Sequence, residues 1–123
     1  MDERLQKDIV RLSQDYPDME VTEQPDSSVH IRVAQFALPE WWMPSQTRIL
    51  LVIGKDYPQS KPAFYVEPDI RLRANGQPPG GSGQAEITGE KWMSLCWQAP
   101  WDPNRETLWR LVKLLERRFD LHD

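Results

Sequence analysis

The chain has one sulfhydryl, that of Cys96, and it lies among residues able to support acyl chemistry. Ser94 and Gln98 sit on either side of it, and Trp101-Asp102-Pro103 follows closely. A thiol carries an acyl group as a thioester, which keeps the carbonyl activated toward an amine. Passing that group on goes through a tetrahedral oxyanion, and one preorganised hydrogen-bond donor to it is worth about 3–4 kcal/mol. The nearest polar donors are Gln98, Ser94 and backbone amides of the adjoining loop, with Gln98 ranked first. An attacking amine must also lose a proton, and Asp102 is close enough in sequence to assist. Plainer readings exist for each residue. A lone cysteine is commonly an inert buried hydrophobe, Gln98 can be an ordinary loop residue, and Asp102 before Pro103 is fully explained as a helix N-cap worth about 1 kcal/mol.

Other chemistries are disfavoured. A single cysteine excludes an intramolecular disulfide and a multi-cysteine zinc site. His30 and His122 are too far apart to form a metal-ligand spacing. Neither is near Cys96 in sequence, which weakens a cysteine hydrolase. No metal or other cofactor is expected. A net charge of −4 and an isoelectric point near 5.2 argue against nucleic-acid binding, whose electrostatic footprint is basic. The longest apolar run, residues 49–53, falls far short of the roughly 18 residues a membrane span needs. The charged start, Met1-Asp2-Glu3-Arg4, lacks a signal core. A cytoplasmic protein is therefore expected, and 123 residues fit one domain, residues 1–123.

Positioning Cys96 falls to an α+β arrangement. Leu5, Ile9 and Leu12 recur at helical spacing in residues 2–14, with Arg4, Lys7, Asp8 and Arg11 assigned to its surface. Asp2 caps this helix, and Tyr16-Pro17 stops it. Period-two segments follow at Met19 and Val21, then at Val29, Ile31 and Val33, then at Ile49, Leu51 and Ile53. Leu50 and Val52 make the last of these apolar on both sides, which marks a central strand. Ala63-Phe64-Tyr65-Val66-Glu67, between Pro62 and Pro68, is a fourth. Short connections rich in turn formers favour a four-stranded antiparallel meander. Residues 73–89, including Asn75-Gly76-Gln77-Pro78-Pro79-Gly80-Gly81, keep no period and predict a long irregular loop running up to the cysteine. Asp102-Pro103 then opens a C-terminal helix with Leu108, Leu111, Val112, Leu115 and Phe119 on one stripe and Lys113, Arg117 and Arg118 toward its end. The two helices cover one face of the sheet.

Three landmarks stand in a telling order: Tyr57-Pro58-Gln59-Ser60-Lys61-Pro62 before the fourth strand, Ser94-Leu95-Cys96 after the long loop, and Trp101-Asp102-Pro103 at the last helix. The arrangement resembles the ubiquitin-conjugating enzyme superfamily, where a Tyr-Pro turn precedes the fourth strand, the cysteine follows an active-site flap, and Trp-Ser-Pro opens the next helix. Asp102 stands here in place of that serine. Leu38-Pro39-Glu40-Trp41-Trp42, Phe64-Tyr65-Val66-Glu67-Pro68 with Arg71-Leu72, and Gly89-Glu90-Lys91-Trp92 are similar to a short bacterial branch, whose genes accompany ubiquitin-like proteins, an activating enzyme and a JAB-type peptidase. The chain departs from the eukaryotic members in lacking their His-Pro-Asn triplet and their two further C-terminal helices, and members of the bacterial branch differ at the cysteine position.

The resemblance implies a UBC-like fold and an acyl transferase. Cys96 would accept a ubiquitin-like or other glycine-ended protein from an activating enzyme as a thioester and pass it to an amine of a target protein, in systems that often serve anti-phage defence. The alternative is a non-catalytic UBC-like or RWD-like binding module.

The tryptophans bear on that alternative. Trp41 and Trp42 are adjacent in a loop between Pro39 and Pro44, so one is expected to be exposed and available to a partner; the competing reading folds both back on the sheet edge. Trp101 is expected under the active-site loop, and Trp109 at the core or its edge. His30 is expected to be solvated and His122 to lie in a frayed tail. The Tyr57-Pro58 turn is assigned a structural role. Arg4, Lys7 and Arg11 read as a solvated face, with an activating-enzyme contact implied by resemblance only.

Overall fold

Asp2 has an extended backbone and accepts the Leu5 amide at 3.2 Å, which starts α1 at Glu3 and carries it to Asp15. The chain was described by a computed structural model covering residues 2–95 and 101–123; Cys96 and Gln98 lie outside the described residues. The buried residues of α1 are Leu5, Asp8 and Leu12, so Asp8 belongs to the inward stripe and not to the surface as its charge suggested.

After α1 the order is β1 (Glu20–Glu23), β2 (Val29–Ala37), β3 (Trp42–Met43), β4 (Gln46–Ile53), β5 (Ala63–Val66), β6 (Arg71–Leu72), β7 (Ser82–Ile87), β8 (Glu90–Leu95) and α2 (Leu108–Arg118). The expected meander is present as β1, β2, β4 and β5, paired antiparallel in that order. The sheet is wider than four strands, however. β8 pairs with β5 and β7 with β8, which gives six strands in the order β1-β2-β4-β5-β8-β7, while β3 and β6 form a separate pair. Much of the predicted irregular loop is therefore a hairpin. Its turn, Thr88-Gly89, has φ of 48° and 81°, the type I′ geometry that matches strand twist. The hairpin escapes a hydrophobicity reading because β7 is an edge strand with no fully buried residue, so burial imposes no alternation on it.

β4 is central, as its two apolar faces require. Ile49, Leu51 and Ile53 point into the core, and Leu50, on the opposite face, also has no exposed surface. Beside it on that outer face, Arg48 lies over the Trp92 ring at 4.9 Å. The core joins the inner face of the sheet, Ile31, Val33, Phe64, Val66 and Met93 among others, to Leu5 and Leu12 of α1 and Leu108, Leu111, Val112, Leu115 and Phe119 of α2 or its cap. Polar contacts tie the helices together along their outer seam: Trp109 Nε1 donates to Asp15 at 2.7 Å, and the Tyr16 hydroxyl to Glu116 at 3.2 Å.

α2 starts later than Asp102-Pro103 predicts. The Asp102 carboxylate accepts the Asn104 amide at 3.0 Å, and its carbonyl accepts those of Arg105 and Glu106 at 3.0 and 2.8 Å. This makes one closed turn, which Thr107 ends by adopting φ −133° and ψ 164°. Thr107 is the N-cap, its hydroxyl accepting the Arg110 amide at 3.2 Å. Asp102 thus caps a turn ahead of the helix, not the helix.

Candidate functional site

The residue before Cys96 is Leu95, the last of β8, held opposite Ser82 at the start of β7. On the far side of residues 96–100 the chain is fixed again at Trp101, whose indole N–H donates to Pro58 O at 2.7 Å and whose ring meets that of Tyr57 at 5.9 Å between centroids. Trp101 therefore packs on the Tyr57-Pro58 turn. That turn is anchored in its own right. Tyr57 is buried, and its hydroxyl donates to the Asp8 carboxylate on α1. Burial first, and the Asp8 carboxylate second, hold the Tyr57 phenol well above its ordinary range, so it stays a donor at any working pH. Lys61, near the same turn, is pulled below the usual lysine range by burial.

Arg4 closes this side of the site. Its guanidinium donates to the carbonyls of Pro103 and Glu106, clamping the turn that follows Trp101 onto α1. It also lies 6.0 Å from the centre of the Tyr57 ring. Arg4 is thus a structural clamp and not part of a solvated face. The two ends of the 96–100 segment are set by different elements, β8 with β7 on one side and α1 with the Tyr57-Pro58 turn on the other.

The candidate donors and acids separate as follows. Ser94 spends its hydroxyl proton on Gly83 O, at 3.3 Å, on the outer face of the sheet. Of the polar donors near Cys96 in sequence, Gln98 lies outside the described residues. Asp102 is half-exposed, with one carboxylate oxygen on the Asn104 amide and the other 3.7 Å from Arg105 Nε. Its side chain is open to solvent on the described side of the segment.

The tryptophan pair folds back on the protein: Trp42 has no exposed surface, and Trp41 is partly exposed. Both indole N–H groups converge on one acceptor, the carbonyl of Phe119 at the end of α2, at 3.1 Å from Trp41 and 2.9 Å from Trp42. A helix C-terminus leaves its last carbonyls without intrahelical partners, and this one is satisfied by two side chains. Trp41 also stacks on His122 at 4.0 Å, so the exposed tail makes a ring contact where fraying was expected. His30, expected to be solvated, is 7% exposed.

Two charged residues escaped a reading based on apolar stripes. Asp8 falls between Leu5 and Leu12 on α1, and Arg118 follows Leu111 and Leu115 on α2; both are buried. The available signal was their position: a charge on an otherwise apolar stripe must have a partner. The Arg118 guanidinium pairs with the Asp123 carboxylate at 2.8 and 2.9 Å and donates to Gly80 O at 2.9 Å.

Among the described residues no helix is long and apolar enough to cross a membrane. Across residues 5–121 the chain matches the model of the prokaryotic E2 family E. No curated protein and no solved structure matches it.

Proposed function

Since the chain belongs to the prokaryotic E2 family E, whose class of function is ubiquitin-like conjugation, we propose that it carries a glycine-ended, ubiquitin-like protein as a thioester on Cys96. The Cys96 thiolate attacks the carbonyl carbon of the thioester on an activating enzyme, the tetrahedral oxyanion collapses, and the activating enzyme's thiolate leaves. An amine of a target protein then attacks the new thioester and loses its proton to Asp102 or to water, and the Cys96 thiolate departs. Gln98 donates to the oxyanion. The observation that carries this reading is the extent of the family match, which spans the one cysteine of the chain. Ser94 being committed to Gly83 favours Gln98 and the loop amides as donors.

Incubation with ATP, the activating enzyme and the ubiquitin-like protein tests it. A thiol-sensitive adduct is expected, absent from Cys96→Ala; an adduct that persists in C96A overturns the assignment. Gln98→Ala should slow discharge to free lysine about 100-fold, whereas Asp102→Asn should slow discharge and leave loading unchanged. A role in anti-phage defence belongs to the same reading and is tested by phage challenge of cells carrying the system with and without C96A.

The second reading is a non-catalytic binding module, favoured by the absence of the His-Pro-Asn triplet. It predicts a Cys96 thiol that reacts with a thiol reagent only after unfolding.

A further inference from the structure

Arg118 and Asp123 form a contact that the proposed chemistry does not use and that ends on Gly80, two residues before the Ser82–Leu95 pair. Arg118 is the last residue of α2, and its side chain is 5% exposed, that of Asp123 12%. The two are joined by both guanidinium Nη atoms and both carboxylate oxygens, a fork geometry with directional as well as electrostatic content. Asp123 reaches this position by turning back with φ 46°. The pair also grips one backbone unit from both sides: Arg118 Nη2 donates to Gly80 O at 2.9 Å, and Gly80 N–H donates to Asp123 Oδ2. A Cβ at residue 80 would stand 3.4 Å from that oxygen and 3.9 Å from the guanidinium nitrogen, so the pair closes over the glycine backbone itself.

Gly80 is two positions ahead of Ser82, which begins β7 opposite Leu95. The first half of the preceding loop holds itself together, with Leu72 and Gln77 bonded at 2.9 Å and Gly76 bonded to Leu72 at 2.8 Å. The second half is Pro78-Pro79-Gly80-Gly81, and β7 is an edge strand that pairs on one side only. The start of such a strand frays unless something outside the sheet holds it. Among the described residues, Arg118 and Asp123 are the side chains that reach Gly80 from another element.

We propose that Arg118 and Asp123 are positioning residues for the Cys96 reaction: they fasten the Gly80-Gly81 segment, and through it the Ser82–Leu95 end of the hairpin from which the chain enters residue 96. The inference rests on the thioester reading for its chemical consequence, but not for the coupling itself, and the two parts have separate readouts.

Coupling is read by amide exchange in the full chain. Asp123→Ala should speed exchange at Gly80 and Ser82 at least tenfold, with Ala85 and Trp92 in the middle of the hairpin unchanged; unchanged exchange at Ser82 overturns the coupling whatever Cys96 does. Positioning is read with a glycyl-glycine thioester of a small thiol as acyl donor, following acylation of Cys96 by intact mass. The donor's carbonyl passes to the Cys96 sulfur and its small thiolate leaves. D123A should lower this rate about tenfold while alkylation by iodoacetamide stays within twofold, and Asp123→Asn, which keeps an acceptor for Gly80 N–H, should fall between. A mutation that only destabilised the fold would move neither native-state rate selectively. Wild-type acylation rates in D123A together with faster exchange at Ser82 overturn the positioning role and leave the thioester reading intact. If wild-type protein and C96A are acylated alike, the thioester reading fails and the positioning role with it, while exchange still decides the coupling.

Discussion

Two buried side chains show how much a single charged group can organise. Asp8 sits on the inward stripe of α1 and is tolerated there because Tyr57 supplies a hydroxyl to it. Tyr57→Phe leaves that carboxylate without its donor and should cost about 1–3 kcal/mol, measured by urea unfolding. Asp8→Asn, which keeps an acceptor for the hydroxyl, should cost less than Y57F. The stripe on α1 was legible as Leu5, Ile9 and Leu12; the inward position of Asp8 was not, because a residue's period says which face it lies on while its charge argues for the opposite one. The lone cysteine stood out as the candidate nucleophile from its place between the long loop and Trp101-Asp102-Pro103, not from its residue type alone, and the commitment of the Ser94 hydroxyl to Gly83 could be seen only once β7 and β8 were paired.

At the scale of elements, turn and cap chemistry decided what apolar periodicity could not. Thr88 sits at φ 48°, a conformation that a β-branched side chain resists and that asparagine adopts readily. Thr88→Asn should therefore stabilise the β7–β8 hairpin by about 0.5–1 kcal/mol, read as a raised urea midpoint with unchanged slope. Thr107→Ala removes the N-cap of α2 and should cost about 1 kcal/mol, whereas Asp102→Ala, which loses only a half-exposed turn contact, should cost less by the same measurement. That order is the reverse of the one predicted if Asp102 capped the helix. The Asp102-Pro103 signature is a genuine local signal, but it satisfied a single turn, and the extended backbone at Thr107 restarted the count.

The whole molecule is held at its ends by side chains far apart in sequence: Arg4 on the turn after Trp101, Trp41 and Trp42 on Phe119, and Arg118 with Asp123 on Gly80. His30 and Asp123 are among the groups through which its stability should depend on pH. Burial first, and the Arg32 charge second, depress the His30 imidazole below its ordinary 6.5 in the folded protein. Between that depressed value and 6.5 the unfolded chain binds a proton that the folded protein does not, so stability falls as pH drops through this window. His30→Gln should flatten the change in urea midpoint between about pH 7.5 and 5.5. Asp123 behaves as a paired carboxylate: the hydrogen bond from Arg118 holds it below its ordinary 3.8. Its contribution is present above that value and is lost as pH falls through the folded one.

By itself the sequence determined the α+β class, both helix stripes, the four meander strands with β4 at their centre, and the residue type on which acyl chemistry would rest. These are local properties, because the period of apolar residues reports directly which face of a helix or strand is buried. Only the tertiary structure decided what covers each face. It widened the sheet by an exposed hairpin that burial does not pattern, moved the start of α2, and brought the Trp41 and Trp42 indoles onto one helix-end carbonyl. It also drew Asp8, Arg4, Arg118 and Asp123 into contacts whose partners lie many turns of chain away. A buried polar group requires a partner but does not name it, and that choice is made by packing, which no local spacing records.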